Sequence, residues 1–204
     1  MLQRLLVIIM LSVGISGCTD EPTVVADKTS TAADSSATNK QVPSQDPVSW
    51  IDDLKTLRDA LYAGDRQKVK SYFSFPVQTE NNELWYFTDS SGISDPSMPF
   101  TERDFEQSFS RVFPKALVKS LMKIKTALLF EKGAFETPVI TEGDSLQYRL
   151  FAAYDKKEGT LSLNLAYDNP IPGEEEERDE FNIIYTFSIL PDGRLRFNRV
   201  NLAG

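Results

Sequence analysis

Few side chains in this sequence combine the types and spacing that chemistry needs. Asp168, close in sequence to Tyr167 and on the same predicted sheet as Tyr148 and Tyr154, pairs a carboxylate base with phenolic donors, the combination used for proton abstraction beside a carbonyl. Nothing in the spacing brings these groups together. Tyrosines at alternating strand positions serve first as core and rim packing, so no catalytic residue is assigned. The run Glu174-Glu175-Glu176-Glu177-Arg178-Asp179-Glu180 offers carboxylates to a hard cation such as calcium. It lacks the interleaved glycine, asparagine and carbonyl donors of a dedicated loop, and reads as a solvated hairpin tip held open by repulsion. No metal and no cofactor is assigned. Lys115, Lys119 and Lys123 recur every four residues, with Lys125 nearby. On a helix they form one row, suited to anionic headgroups or an acidic partner, or simply the solvated side of an amphipathic helix.

Composition narrows the field further. The chain has no histidine and one cysteine, Cys18, which removes the commonest general base, the commonest zinc ligands and the usual nucleophilic triads. Lys and Arg number 22 against 30 Asp and Glu, a net charge of −8, or −9 once Arg4, the one charged residue of positions 1–17, is removed. Nucleic acid is excluded as a partner on that balance, since phosphate backbones demand clustered cations.

Cys18 follows Arg4, the apolar run Leu5 to Val13, and small residues, the layout of a secretory signal. The run is too short for a bilayer-spanning helix of roughly 20 residues. Ile15-Ser16-Gly17-Cys18 resembles the bacterial lipobox, which implies diacylglyceryl transfer to the thiol, cleavage before Cys18 and acylation of the new amine. Lipidation consumes the thiol, and two or three acyl chains hold a protein stably on a membrane. Thr19 stands where an aspartate retains Gram-negative lipoproteins at the inner membrane, so the resemblance implies the periplasmic leaflet of the outer membrane. Asp20 and Glu21 follow closely and keep the inner membrane or the cell surface open.

The expected organisation is therefore a signal peptide at 1–17, a lipidated cysteine with a disordered tether at 18–47, and one domain at 48–204. The tether carries Ser, Thr, Ala and Asp with Pro22, Pro43 and Pro47 and no aromatic residue. Its root-mean-square reach is on the order of 30 Å.

Within the domain, Asp46-Pro47 has the form of an N-cap with proline at N1, and Ile51, Leu54, Leu57 and Leu61 predict a helix to about Tyr62. Gly64 stops it and Asp65 caps a short second helix that Pro76 ends. Leu84 to Thr88 reads as a short strand, and Gly92, Pro96 and Pro99 as a loop. Thr101 to Asp104 has the form of a capping box for a helix bearing Phe105, Phe109, Val112 and Phe113, broken at Pro114. Leu117, Leu121, Ile124 and Leu128 predict a helix from Lys115 toward Phe130, closed by Gly133. The period then changes to two. Leu146 to Tyr154, Leu161 to Tyr167, Phe181 to Ile189 and Leu195 to Leu202 predict four antiparallel strands, with an acidic loop before the third and a possible extra strand at Phe135 to Thr141.

Helices first and a meander last place the chain in the α+β class. The element order, with Ala63-Gly64-Asp65, Phe75-Pro76-Val77 and Phe105 to Phe113, is similar to NTF2-like, cystatin-like domains of bacterial lipoproteins. That resemblance implies helices packed on a curved antiparallel sheet, leaving a cone-shaped cup. Since this fold hosts enzymes and binding modules alike, two classes follow. One is a non-catalytic module binding an envelope protein or a glycan. The other is a small-ligand binder or a hydratase- or isomerase-like enzyme using the cup, for which Asp168 must converge on a tyrosine.

Overall fold

The computed structural model describes residues 49–78, 80–88, 97–143, 146–171 and 174–204. Signal and tether positions 1–17 and 18–47, the Asp46-Pro47 cap and the Gly92-Pro96 loop all lie outside the described residues. Over the rest, the chain is α+β: helices α1 (Trp50–Ala63), α2 (Arg66–Lys70), α3 (Glu102–Val112), α4 (Lys115–Leu121) and α5 (Thr126–Lys132) precede a six-stranded antiparallel sheet. The strands are β1 (Ala134–Glu136), β2 (Ile140–Glu142), β3 (Leu146–Asp155), β4 (Thr160–Ile171), β5 (Glu174–Ile189) and β6 (Leu195–Ala203).

Local signals set most helix ends. Gly64 takes φ of 68° and returns its N–H to the last turn of α1, a left-handed conformation that glycine adopts without steric cost. Asp65 accepts from the Lys68 N–H at 3.0 Å and so starts α2. Thr101 and Asp104 form the reciprocal capping box of α3. Pro114 stops α3 and sits at the N-cap of α4. Tyr148, Leu150 and Ala152 of β3, Leu161, Leu163 and Leu165 of β4, and Ile183, Tyr185 and Phe187 of β5 put alternate side chains under the helices, all of them buried. Phe73 lies at the centre of that layer, stacked on Phe197 at 4.4 Å and edge-on to Phe105 at 5.1 Å.

Four sequence expectations change. Leu84 to Thr88 is not a strand: Leu84 to Phe87 belong to a 3-10 segment, Glu83–Phe87, with Thr88 at its C-cap. Leu84 and Phe87 are buried while Tyr86 is exposed, a spacing of three rather than two, and Asn82 caps the segment by accepting from the Leu84 N–H. The helix expected from Lys115 toward Phe130 is two helices. Lys123 and Ile124 donate back to Ser120 and Leu121 in a tight turn that buries Ile124, and α5 then sets off on a new axis whose Phe130 ring reaches Trp50 at 5.9 Å. The acidic residues expected in a loop belong to β5, where Arg178, Asp179 and Glu180 pair with Pro170, Asn169 and Asp168 of β4. Phe135 to Thr141 supplies not one extra strand but two short ones, β1 and β2, both on β3.

Backbone groups of β3 and β6 that face no partner strand are bonded by other parts of the chain. At β3 the gap between β1 and β2 is bridged by buried Thr137, whose N–H donates to the Leu150 carbonyl at 3.0 Å and whose hydroxyl accepts from the Leu150 N–H at 2.9 Å. At β6, the Leu195 N–H donates to the Asp53 carboxylate at 2.7 Å, Phe197 to the Tyr72 carbonyl at 2.8 Å, Val200 to Asn82 Oδ1 at 3.1 Å, and Leu202 to the Glu83 carboxylate. Exposed N–H rows template aggregation, and here helix-side groups occupy them.

Asn82 serves two buried donors at once and gives its own amide to the Asn198 carbonyl at 3.3 Å. Asn82→Ala strands both, so urea unfolding should show a loss of about 2–3 kcal/mol, with Asn82→Asp losing less because it keeps the acceptor. A loss below about 0.5 kcal/mol, the scale of a surface substitution, would mean the β6 edge is held elsewhere.

Candidate functional site

The sheet face under the helices does not assemble the carboxylate–tyrosine pair. Tyr148 and Tyr167 are register partners on β3 and β4, their rings 6.0 Å apart on the helix side. Asp168 is the next residue along β4, so its side chain leaves from the opposite face. Tyr154 instead packs its ring on Trp50 at 4.8 Å. Tyr148 is buried and donates to Glu142 Oε1 at 2.9 Å, and burial, followed by that carboxylate, holds its hydroxyl well above the ordinary tyrosine range. Tyr185 is fully buried and donates to the Val112 carbonyl at 2.6 Å, tying β5 to the end of α3. These are packing tyrosines. Leucine, phenylalanine and tyrosine side chains are buried on this face between sheet and helices.

Among the described residues, no group of three or more Asp, Glu or Cys side chains is placed to hold a metal ion, and no helix is long and apolar enough to cross a membrane. Of the two tryptophans, Trp50 is buried core, while Trp85 is half-buried and lines a shallow surface recess with Met98 and Thr101.

The lysines lead to a different place. Lys115 and Lys119 are four apart on α4, but Lys123 lies beyond the end of that helix, in the turn to α5. All three still line one groove of about 560 Å³ between the end of α1, α3, α4 and β2. Its floor is Leu61, Phe109, Phe113, Val118 and Ile140, and its lip carries Tyr62 and Met122, which are 70% and 41% exposed. The helical periods explain the arrangement. Phe109 on α3 and Phe113 at its C-cap are one turn apart, as are Val118 on α4 and Met122 at its C-cap, and with Pro114 breaking the chain between the helices both pairs line the same groove.

The lysines are not equivalent. Lys119 donates to Glu142 Oε1, the atom that also accepts from Tyr148. Among the described residues no ion pair engages Lys115 or Lys123. The groove thus joins an apolar floor to two lysines outside any direct ion pair among the described residues, Lys115 acting on Glu142 only at longer range, on a chain that is acidic overall. Such a lining suits an amphiphile, held by its tail and its charge.

Sequence reasoning found the lysines and the phenylalanines separately. Tyr62 and Met122, large apolar residues at the ends of their helices, are the clue that these surfaces meet in the open. No protein-family model, curated protein or solved structure matches this chain.

The hydrogen bond from Lys119, then that from Tyr148, lowers the pKa of Glu142 below the ordinary carboxylate value. A depressed carboxylate pKa contributes stability that is present above the unfolded value, about 4.3, and is lost as pH falls through the folded value. Glu142→Gln should therefore unfold earlier in urea than the wild type at pH 7, with the gap between midpoints closing as pH is lowered from about 4.3 toward 3. A gap that stays constant across that range would show that Glu142 carries no titrating bond.

Proposed function

We propose that this chain is a lipid-anchored envelope lipoprotein whose folded domain is a non-catalytic binding module, holding its ligand in the groove between α1, α3 and α4. Lipidation at Cys18 and placement at the periplasmic leaflet of the outer membrane rest on the lipobox-like Ile15-Ser16-Gly17-Cys18 and on Thr19. Helices cupped by a curved antiparallel sheet, in the NTF2-like, cystatin-like manner, are the arrangement that the element order supports.

One observation carries the binding reading. Buried leucine, phenylalanine and tyrosine side chains line the helix side of the sheet, while an apolar groove with large exposed residues on its lip lies open beside it. That buried apolar lining and an Asp168 directed away from Tyr148 and Tyr167 weigh against a hydratase- or isomerase-like reaction in the cup. An apolar floor also suits an amphiphile or an apolar side-chain ligand better than a glycan.

Two measurements test this. Cells given labelled palmitate should incorporate it into the wild type and not into Cys18→Ala, and a wild type without label overturns the anchor. A photo-reactive amino acid at Met122 should trap an envelope component in intact cells, and the same probe at Lys157, exposed at the β3–β4 turn, should not. Trapping that is equal at both positions overturns the groove as the binding site.

A further inference from the structure

We infer that the groove ligand is a free single-chain anionic lipid, a long-chain fatty carboxylate, with its tail on Phe109, Phe113, Val118 and Met122 and its carboxylate between Lys115 and Lys123. This rests on the binding-module reading and names its ligand. Three observations on the groove combine.

The first is its size. At about 30 Å³ per heavy atom, the volume of liquid water per molecule, about 560 Å³ holds on the order of 20 heavy atoms. That is one acyl chain with a small headgroup, and too little for the two chains of a membrane phospholipid.

The second is the division of its lining. Leu61, Phe109, Phe113, Val118 and Ile140 form an apolar floor, and the polar groups stand at the rim. An acidic peptide, or the acidic run of a second copy, would satisfy the lysines and leave that floor in water. A neutral hydrocarbon would cover the floor and leave the lysines without a purpose. Only a ligand with both parts matches both surfaces.

The third is the charge balance. Lys119 bonds Glu142 directly and Lys115 acts on that carboxylate only at longer range, so recognition of the ligand carboxylate falls to Lys115 and Lys123, which form no direct ion pair among the described residues. The thioether of Met122, exposed at the lip, adapts to a flexible chain better than a branched side chain does.

The test uses the full lipidated chain in phosphatidylcholine nanodiscs, titrated with the fluorescent fatty acid cis-parinarate against empty discs. Saturable binding is expected. The exposed pair Lys115→Glu and Lys123→Glu should weaken it about tenfold, from two rim ion pairs lost and reversed, while Lys157→Glu, at the exposed β3–β4 turn away from the groove, changes it less than about threefold. The uncharged methyl ester of the probe should bind the wild type about as weakly as the acid binds the double variant. Circular dichroism establishes that each variant is folded. Equal affinities of acid and ester, or of wild type and double variant, overturn the inference. If parinarate shows no saturable binding while the Met122 probe still traps an envelope protein, the fatty carboxylate is wrong and the binding module stands. If neither occurs, both fail.

Discussion

Closure of the β6 edge is the constraint on which the remaining structure depends. An antiparallel sheet of this size has two rows of backbone groups with no next strand, and each buried donor left unpaired costs about 1–3 kcal/mol. Here Asp53 of α1, the Tyr72 carbonyl, Asn82 and Glu83 supply the acceptors for β6. Those same contacts fix the helical layer on the sheet. Asp53 also accepts from the Tyr72 hydroxyl at 3.1 Å, and burial, then that carboxylate, keeps the hydroxyl protonated far above neutrality. One aspartate therefore locks α1, the turn after α2 and β6 together. Helix docking and edge protection are a single act.

Once that layer is docked, the space between helices and sheet is fixed. Phe73, Phe105, Phe113 and Tyr185 are buried between helices and sheet, and the apolar groove opens where two helices part company. Pro114 causes the parting. It ends α3 and begins α4 at an angle that leaves Phe109, Phe113 and Val118 partly facing one another across a gap, with α1 closing one end through Leu61 and Tyr62. The groove follows from a proline break between two amphipathic helices.

Legibility from sequence divides according to distance along the chain. The Thr101–Asp104 box, the Gly64 stop, the Asp65 cap and the alternation of the long strands each involve neighbours within a few residues, and the sequence announces them. Asp53 meets Leu195 across 142 positions and Asn82 meets Val200 across 118, and no pattern in one sequence encodes such a meeting. That is why Leu84 to Phe87 read as a strand: its aromatic composition is right for one, and the role of Asn82 and Glu83 in covering a distant strand is not visible. The helix from Lys115 failed differently. Its apolar period runs on through Ile124 and Leu128 with no glycine or proline to mark a stop, and the break is imposed by packing α5 against Trp50. The lysine row was accordingly legible as charge and illegible as a rim. Of its apolar complement, Phe109, Phe113 and Val118 are near in sequence, but Leu61 of α1 and Ile140 of β2 come from far along the chain.

Phe109 and Phe113 belong both to the floor of the groove and to the buried core, and Phe113 stacks on Tyr185 at 6.0 Å. Ligand and fold thus lean on the same two rings. Whatever occupies the groove binds the native state and not the unfolded chain, so its binding energy adds to the unfolding free energy by mass action. A melting curve becomes a detector of occupancy, whatever the occupant is. Conversely, any change that loosens the joint between α3 and the sheet reaches the binding surface without touching it.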